Sequence, residues 1–131
     1  MSTVDTDFAP LHSMLVRWIQ QETGVRTSGS IPEDLTTAAH VVYALPGQDV
    51  DGLAEVRAFD VQTFAPTYDE ADRLASAARK AVARMAARDT VDDGRHLVDW
   101  TRCSTPPYLV SYENPKVSRL VGTYRLAARA Q

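Results

Sequence analysis

Cysteine is nearly missing from this chain: Cys103 stands alone, which excludes an intrachain disulfide and a thiolate zinc cage. No apolar run approaches the ~18 residues of a membrane helix, so no span is expected. Glycine is sparse and scattered, and no glycine-rich phosphate cradle follows any strand-like segment. The three histidines, His12, His40 and His96, show no His-x-x-x-His spacing and no neighbouring carboxylate pattern. They read as surface or ordinary packed residues, not metal ligands. The first seven residues, Met1 to Asp7, lack both a positive stretch and an apolar stretch. No secretory signal is expected there, and synthesis in the cytoplasm is.

What remains is an ordinary globular composition, 44% hydrophobic and 24% charged, on 131 residues. That length suits one domain, residues 1–131, around one core. The net charge of −3 is small but unevenly spread. Residues 1–94 carry 15 acidic and 8 basic side chains, whereas residues 95–131 carry 2 and 6. Either folding mixes the two sets on a solvated surface, or opposite-sign patches favour head-to-tail contact between copies.

From Pro10 to Glu22, Leu11, Met14, Leu15, Trp18 and Ile19 recur at three- and four-residue spacings, predicting an amphipathic helix that Gly24 can end. Residues 26–34 read as loop. His40 to Leu45 is β-branched and aromatic, with Pro46-Gly47 directly after it, and reads as a strand ending in a turn. Leu53 to Phe64 reads as a second strand, paired with the first across the loop 46–52. Its apolar positions change phase, with Val56 and Ala58 on one face and Phe59 and Val61 on the other, which implies a bulge or burial on both sides.

Thr67 and Glu70 have the spacing of a capping box, so a long helix is expected from there to about Arg88. Ala71, Leu74, Ala75, Ala78, Val82 and Met85 form its inward stripe. A third strand is expected over His96 to Cys103, with Leu97, Asp99 and Thr101 opposite Val98, Trp100 and Arg102. Residues 104–116 contain Pro106, Pro107 and Pro115 and cannot form a central strand. Val117 to Ala128 is the last strand, with Leu120, Gly122, Tyr124 and Leu126 on one face and Val121, Thr123, Arg125 and Ala127 on the other. The order α-β-β-α-β-β implies an α+β fold, a mostly antiparallel four-stranded sheet packed by the long helix.

The chemistry-bearing candidates are weak. Asp49-Val50-Asp51-Gly52 resembles the opening of a calcium loop, but counting from Asp49 puts Ala54 where the loop needs glycine and Asp60 where it needs a bidentate glutamate. Cys103 with a distant histidine could make a nucleophile pair, but a lone cysteine at a strand end reads as a small hydrophobe. No catalytic, cofactor or metal residue is assigned, and an enzyme is not expected. The basic residues of the last third alternate with Tyr108, Tyr112 and Tyr124, a pattern compatible with stacking on single-stranded nucleic acid or with an ordinary sheet.

A spaced pattern in the second half resembles a known family. Val56-Arg57-Ala58-Phe59-Asp60-Val61-Gln62-Thr63-Phe64 runs into Tyr68-Asp69-Glu70-Ala71, then come Val98-Asp99-Trp100, Pro107-Tyr108, Tyr112-Glu113-Asn114-Pro115, Val117-Ser118-Arg119 and Tyr124-Arg125-Leu126. Together, over about residues 39–129, these resemble the tail terminator proteins of long-tailed, non-contractile bacteriophages. The resemblance implies a subunit that closes into a hexameric ring on the head-proximal end of the tail tube. Such a ring stops growth of the tube, docks to the filled head through a head completion (stopper) protein, and lets genomic DNA pass without specific binding. It implies a virion protein of the neck, assembled in the host cytoplasm, with the major tail tube protein as partner and without cofactor or membrane. On that reading Asp49, Asp51 and Glu55 face the channel or the tube, or else are solvated turn acids. Arg119 and Arg125 pair with Asp69 or Asp72 of the next subunit, or form solvent-facing rungs. Trp100, Tyr108 and Tyr112 pack at the subunit boundary, although Trp100 equally suits the core. Another head-to-tail connector or tail completion protein, and a small single-stranded nucleic-acid-binding module, are the alternatives.

Overall fold

The structure is a computed structural model that describes residues 10–46, 49–51, 54–86 and 96–130. In chain order these form α1 (Leu11–Thr23), β1 (Thr27–Ser28), β2 (Ala39–Ala44), β3 (Asp49–Asp51), β4 (Ala54–Ala65), α2 (Tyr68–Met85), β5 (His96–Leu109) and β6 (Ser118–Ala130). Five strands lie side by side in the order β1-β2-β4-β6-β5, and β3 adds to the edge of β4. Both helices cover one face of this sheet, and the opposite face stays open.

The apolar stripes of both helices are buried as their spacing predicts. Leu11, Met14, Leu15, Trp18 and Ile19 of α1 are buried, and Gly24 ends the helix with φ 73°, its N–H donating to the carbonyl of Gln20. A left-handed conformation of this kind costs a residue with a Cβ, which is why glycine suits the position. At the start of α2, the Thr67 hydroxyl accepts from the Glu70 N–H at 3.2 Å. This is one arm of the expected capping box; Glu70 makes no return bond. Four buried alanines, Ala71, Ala75, Ala78 and Ala81, let α2 lie close to β4, β5 and β6. The indole N–H of Trp18 donates to the carbonyl of Ala81 at 2.7 Å and ties the two helices together.

The four long strands pair antiparallel, as expected, with β2 against β4 as the predicted hairpin. Two additions turn the predicted four-stranded sheet into a mixed one. Residues 26–34, read as loop, contain β1, which pairs parallel with β2. Two residues are too few to show a period, and tertiary contacts place them: the Thr27 N–H donates to the Gln20 side chain at 3.0 Å, and the His40 N–H donates to the Arg26 carbonyl at 3.0 Å. The loop expected over 46–52 contains β3. Ala44 faces Phe59 while Asp49 faces Val56, so five steps along one side span three along β4. β3 is thus the resumption of β2 on the same edge after an insertion.

The third strand continues past Cys103, through Pro106 and Pro107, to Leu109. Because β5 is the edge of the sheet, its outward positions need no N–H donor, and prolines fit there. Register shifts between Cys103 and Thr105 and between Thr105 and Tyr108 absorb the misfit. A further shift between Val98 and Trp100 corrects the expected faces. Val98 opposes Ala128 on the helix side, whereas Trp100 and Arg102 oppose Ala127 and Arg125 on the open side.

The phase change in β4 comes from burial on both sides, since β4 pairs with β6 without a break from Glu55–Ala128 to Ala65–Ser118. Phe59 and Val61 face the helices in the main core with Tyr124, Leu126 and Met85. Val56 packs on the open side with Ala127 and Trp100. Phe64, also on the open side, is covered edge-on by Tyr112 at 5.2 Å between ring centres.

Candidate functional site

The open sheet face presents rows of side chains fixed by strand register. One row runs Tyr43, Asp60, Thr123, Thr105; the next holds Ala58, Arg125 and Arg102; the third holds Val56, Ala127 and Trp100. Asp60 accepts from the Thr123 hydroxyl at 2.7 Å. Asp99 pairs with Arg129 at 3.3 Å. Arg102 and Arg125 stand directly opposite each other on β5 and β6. The Arg102 guanidinium lies over the Trp100 ring at 5.6 Å, and neither arginine forms an ion pair among the described residues. Opposed like charges of this kind destabilise a strand pair.

Beyond Phe64, two loops meet at the end of the sheet where α2 begins, and each is pinned by one arginine. Arg26 donates through Nε to the Ala38 carbonyl at 3.2 Å and through Nη2 to the carbonyls of Thr37, at 2.9 Å, and Asp34. Within that loop the Asp34 carboxylate accepts from the Thr36 N–H at 2.9 Å, and this bond holds its pKa below the usual carboxylate value. In the other loop, Arg119 donates to the Ser111 carbonyl at 2.6 Å and stacks over the Tyr112 ring at 5.2 Å. The Lys116 N–H donates to the Asn114 side chain at 3.0 Å and closes the turn. Between the loops lies an open cavity of about 620 Å³, lined by Pro32, Leu35, Pro66, Tyr112 and Val117, with Glu33, Asp34, Glu113 and Lys116 around them.

These arrangements distribute the candidate residues over three regions. Asp49 and Asp51 lie in β3, and their side chains are outside the described residues. Glu55 is only 5% exposed and sits on the helix side of β4, so within one chain its carboxylate is not a surface acid. Asp69 and Asp72 are exposed at the start of α2, beside the loop end. Tyr108 is 53% exposed on the β5 edge, Tyr112 is half-buried over Phe64, and Trp100 is half-buried on the open face. Arg125 is half-buried on that face, and Arg119 is engaged by its own loop. Sequence reasoning missed the pinning role of Arg26 and the exposure of Arg102 on the open face beside Arg125. The second was half legible, because Arg102 shares an alternation with Trp100.

The titratable groups of the interior do not converge. Among the described residues, no group of three or more His, Cys, Asp or Glu side chains is placed to hold a metal ion. His40 is fully buried; Nδ1 meets the Thr63 hydroxyl at 2.9 Å, and Nε2 has no partner. Burial pushes its pKa down to about 4. Burial, with Cys103 adding to it and Arg79 opposing, pushes the Tyr124 hydroxyl up. His12 bonds through Nε2 to the Val42 carbonyl at 2.8 Å and stacks on Phe59. No helix among the described residues is long and apolar enough to cross a membrane.

No family model matches the chain, and no curated protein matches it in sequence. Among solved structures, a chain from the virion of a native gene transfer agent (GTA) particle is similar, with a TM-score of 0.62 at 14% identity, over 98% of this chain and 99% of that one. At that identity the likeness is one of fold. A second solved chain, 13% identical, aligns over 92% of this chain and 90% of its own length with a TM-score of 0.45, too remote to support an argument.

Proposed function

We propose that this chain is a structural virion protein that forms a ring on the head-proximal end of a phage-type tail tube. In that position it stops tube polymerisation and presents the surface to which the head docks. The observation that carries the reading is the end-to-end fold likeness to a chain of a gene transfer agent virion, over 98% and 99% of the two lengths. The tail-terminator-like pattern from Val56 to Leu126 adds the finer role. On this reading the protein works by shape and performs no reaction. Its partners are further copies of itself, the tail tube protein and a head completion protein, and DNA passes through the ring without specific contacts.

Opposite charges on separate surfaces suit a contact between different faces of successive subunits, the kind that closes into a ring. In this proposal Asp69 and Asp72 lie on one side of the subunit boundary, with Arg125, Trp100 and Tyr108 on the other. Tyr112 and Arg119 brace the loop beside it. Asp49 and Asp51 stand at the opposite end of the sheet, where an acidic rim would repel the phosphate backbone and keep DNA from sticking; the buried Glu55 is left out of that rim.

The deciding experiment is electron microscopy of particle-producing lysates that lack this protein. Overlong tubes without heads support termination. Tails of normal length that fail to join heads assign the chain to another connector role, and normal complete particles refute both.

A further inference from the structure

On the open sheet face, the Arg102–Arg125 row forms no ion pair among the described residues. The two guanidinium-bearing side chains oppose each other across adjacent strands. The acids that share the face are already engaged, Asp60 by Thr123 and Asp99 by Arg129. Beside Arg125 on β4 stands Ala58, whose small side chain leaves room above the sheet. An arrangement that costs stability in the isolated chain is relieved when a carboxylate arrives from outside.

The same molecule carries such carboxylates, but on another surface. Glu33, Asp34 and Glu113 are exposed around the loop-end cavity, and Asp69 and Asp72 are exposed at the adjoining helix start. Arg26 and Arg119 hold the loops in place, so little ordering is needed when they dock. Ala58 and Phe64 are six residues apart on β4, which at about 3.4 Å per residue sets the arginine row roughly 20 Å from the loop end. The two surfaces therefore cannot neutralise each other within one chain.

We infer that the Arg102–Arg125 row of the open sheet face seats the acidic loop end of a second copy of this chain. The contact joins two different surfaces, so it leaves each end of a dimer ready to add another copy. A nucleic-acid phosphate is the poorer occupant, because Asp60 and Asp99 share the face with the arginines and the chain as a whole carries a net charge of −3. The inference rests on the ring reading for closure around an axis, whereas the contact itself is a property of two copies.

The test is sedimentation velocity on the full chain and two exposed-surface variants, R102E/R125E and E33K/E113K, at low and high salt. The wild-type chain should associate in a concentration-dependent way that weakens with salt, and each variant alone should lose association at least tenfold. A one-to-one mixture of the variants should restore it, because the intact acidic end of one meets the intact arginine row of the other. Thermal melting within a few degrees of the wild type shows that the variants fold. A wild-type chain that stays monomeric to about 1 mM, where a contact is worth only ~4 kcal/mol, overturns the inference. So does a mixture no better than its components, or a single-stranded oligonucleotide whose binding is lost in R102E/R125E without any self-association. Overlong tubes in lysates lacking the protein, found together with a monomeric chain, would sink the contact and leave the tail reading standing.

Discussion

Lowering the pH should destabilise this fold through His40 before any carboxylate is involved. The imidazole is fully buried between β1 and β4, with one nitrogen on the Thr63 hydroxyl and the other without a partner. Its ordinary pKa of 6.5 falls to about 4 in the folded chain. The unfolded chain therefore binds a proton first, and the stability that a neutral His40 preserves is complete above pH 6.5 and lost as pH falls toward 4. Linkage over that interval removes about 2 kcal/mol by pH 5 and about 3 kcal/mol by pH 4. Asp34, whose pKa is lowered from 3.8, contributes only below this window. The assay is urea unfolding at pH 7 and pH 5 for the wild type and H40L, a variant of similar bulk that cannot titrate. Relative to the wild type, H40L should gain about 2 kcal/mol on going from pH 7 to pH 5. Parallel profiles for the two proteins, or an NMR titration placing the folded imidazole at 6.5 or higher, would refute the reasoning.

Other perturbations follow from particular contacts. W18F removes the donor to Ala81 between the two helices and should cost about 1–2 kcal/mol in thermal unfolding, with the fold retained. At Gly29 an added Cβ would stand 2.7 Å from His12 Cε1, so G29A must displace the ring that bonds Val42 and should destabilise by about 1–3 kcal/mol. G24A meets nothing within 4 Å yet must hold φ 73°, and should cost about 1 kcal/mol from the backbone alone. Removing the cap with T67A should cost about 1 kcal/mol and loosen the first turn of α2, as hydrogen exchange at the Glu70 amide would show.

Much of the architecture could be read locally. The stripes of α1 and α2, the stop at Gly24, the start at Thr67 and the two faces of β6 each depend on residues within a few positions of one another. A helix period of 3.6, a strand period of 2 and a capping hydroxyl act over that range, so side-chain order alone decides them. The candidate surface was legible only in part. Trp100, Tyr108 and Arg125 are candidates through the family resemblance, whereas the row in which Arg102 meets Arg125 and the burial of Glu55 could not be read from the sequence.

What tertiary structure decided are the features set by partners distant in the chain. β1 and β3 exist because β2 and β4 offer edges to them, and β5 passes through two prolines because it lies outermost. The register shift after Val98 turns Trp100 and Arg102 to the open face, and the loops of the acidic end take their shape from Arg26 and Arg119. Strand pairing and loop bracing are contacts between segments brought together only by folding, so their energies depend on a geometry that no short window of sequence contains.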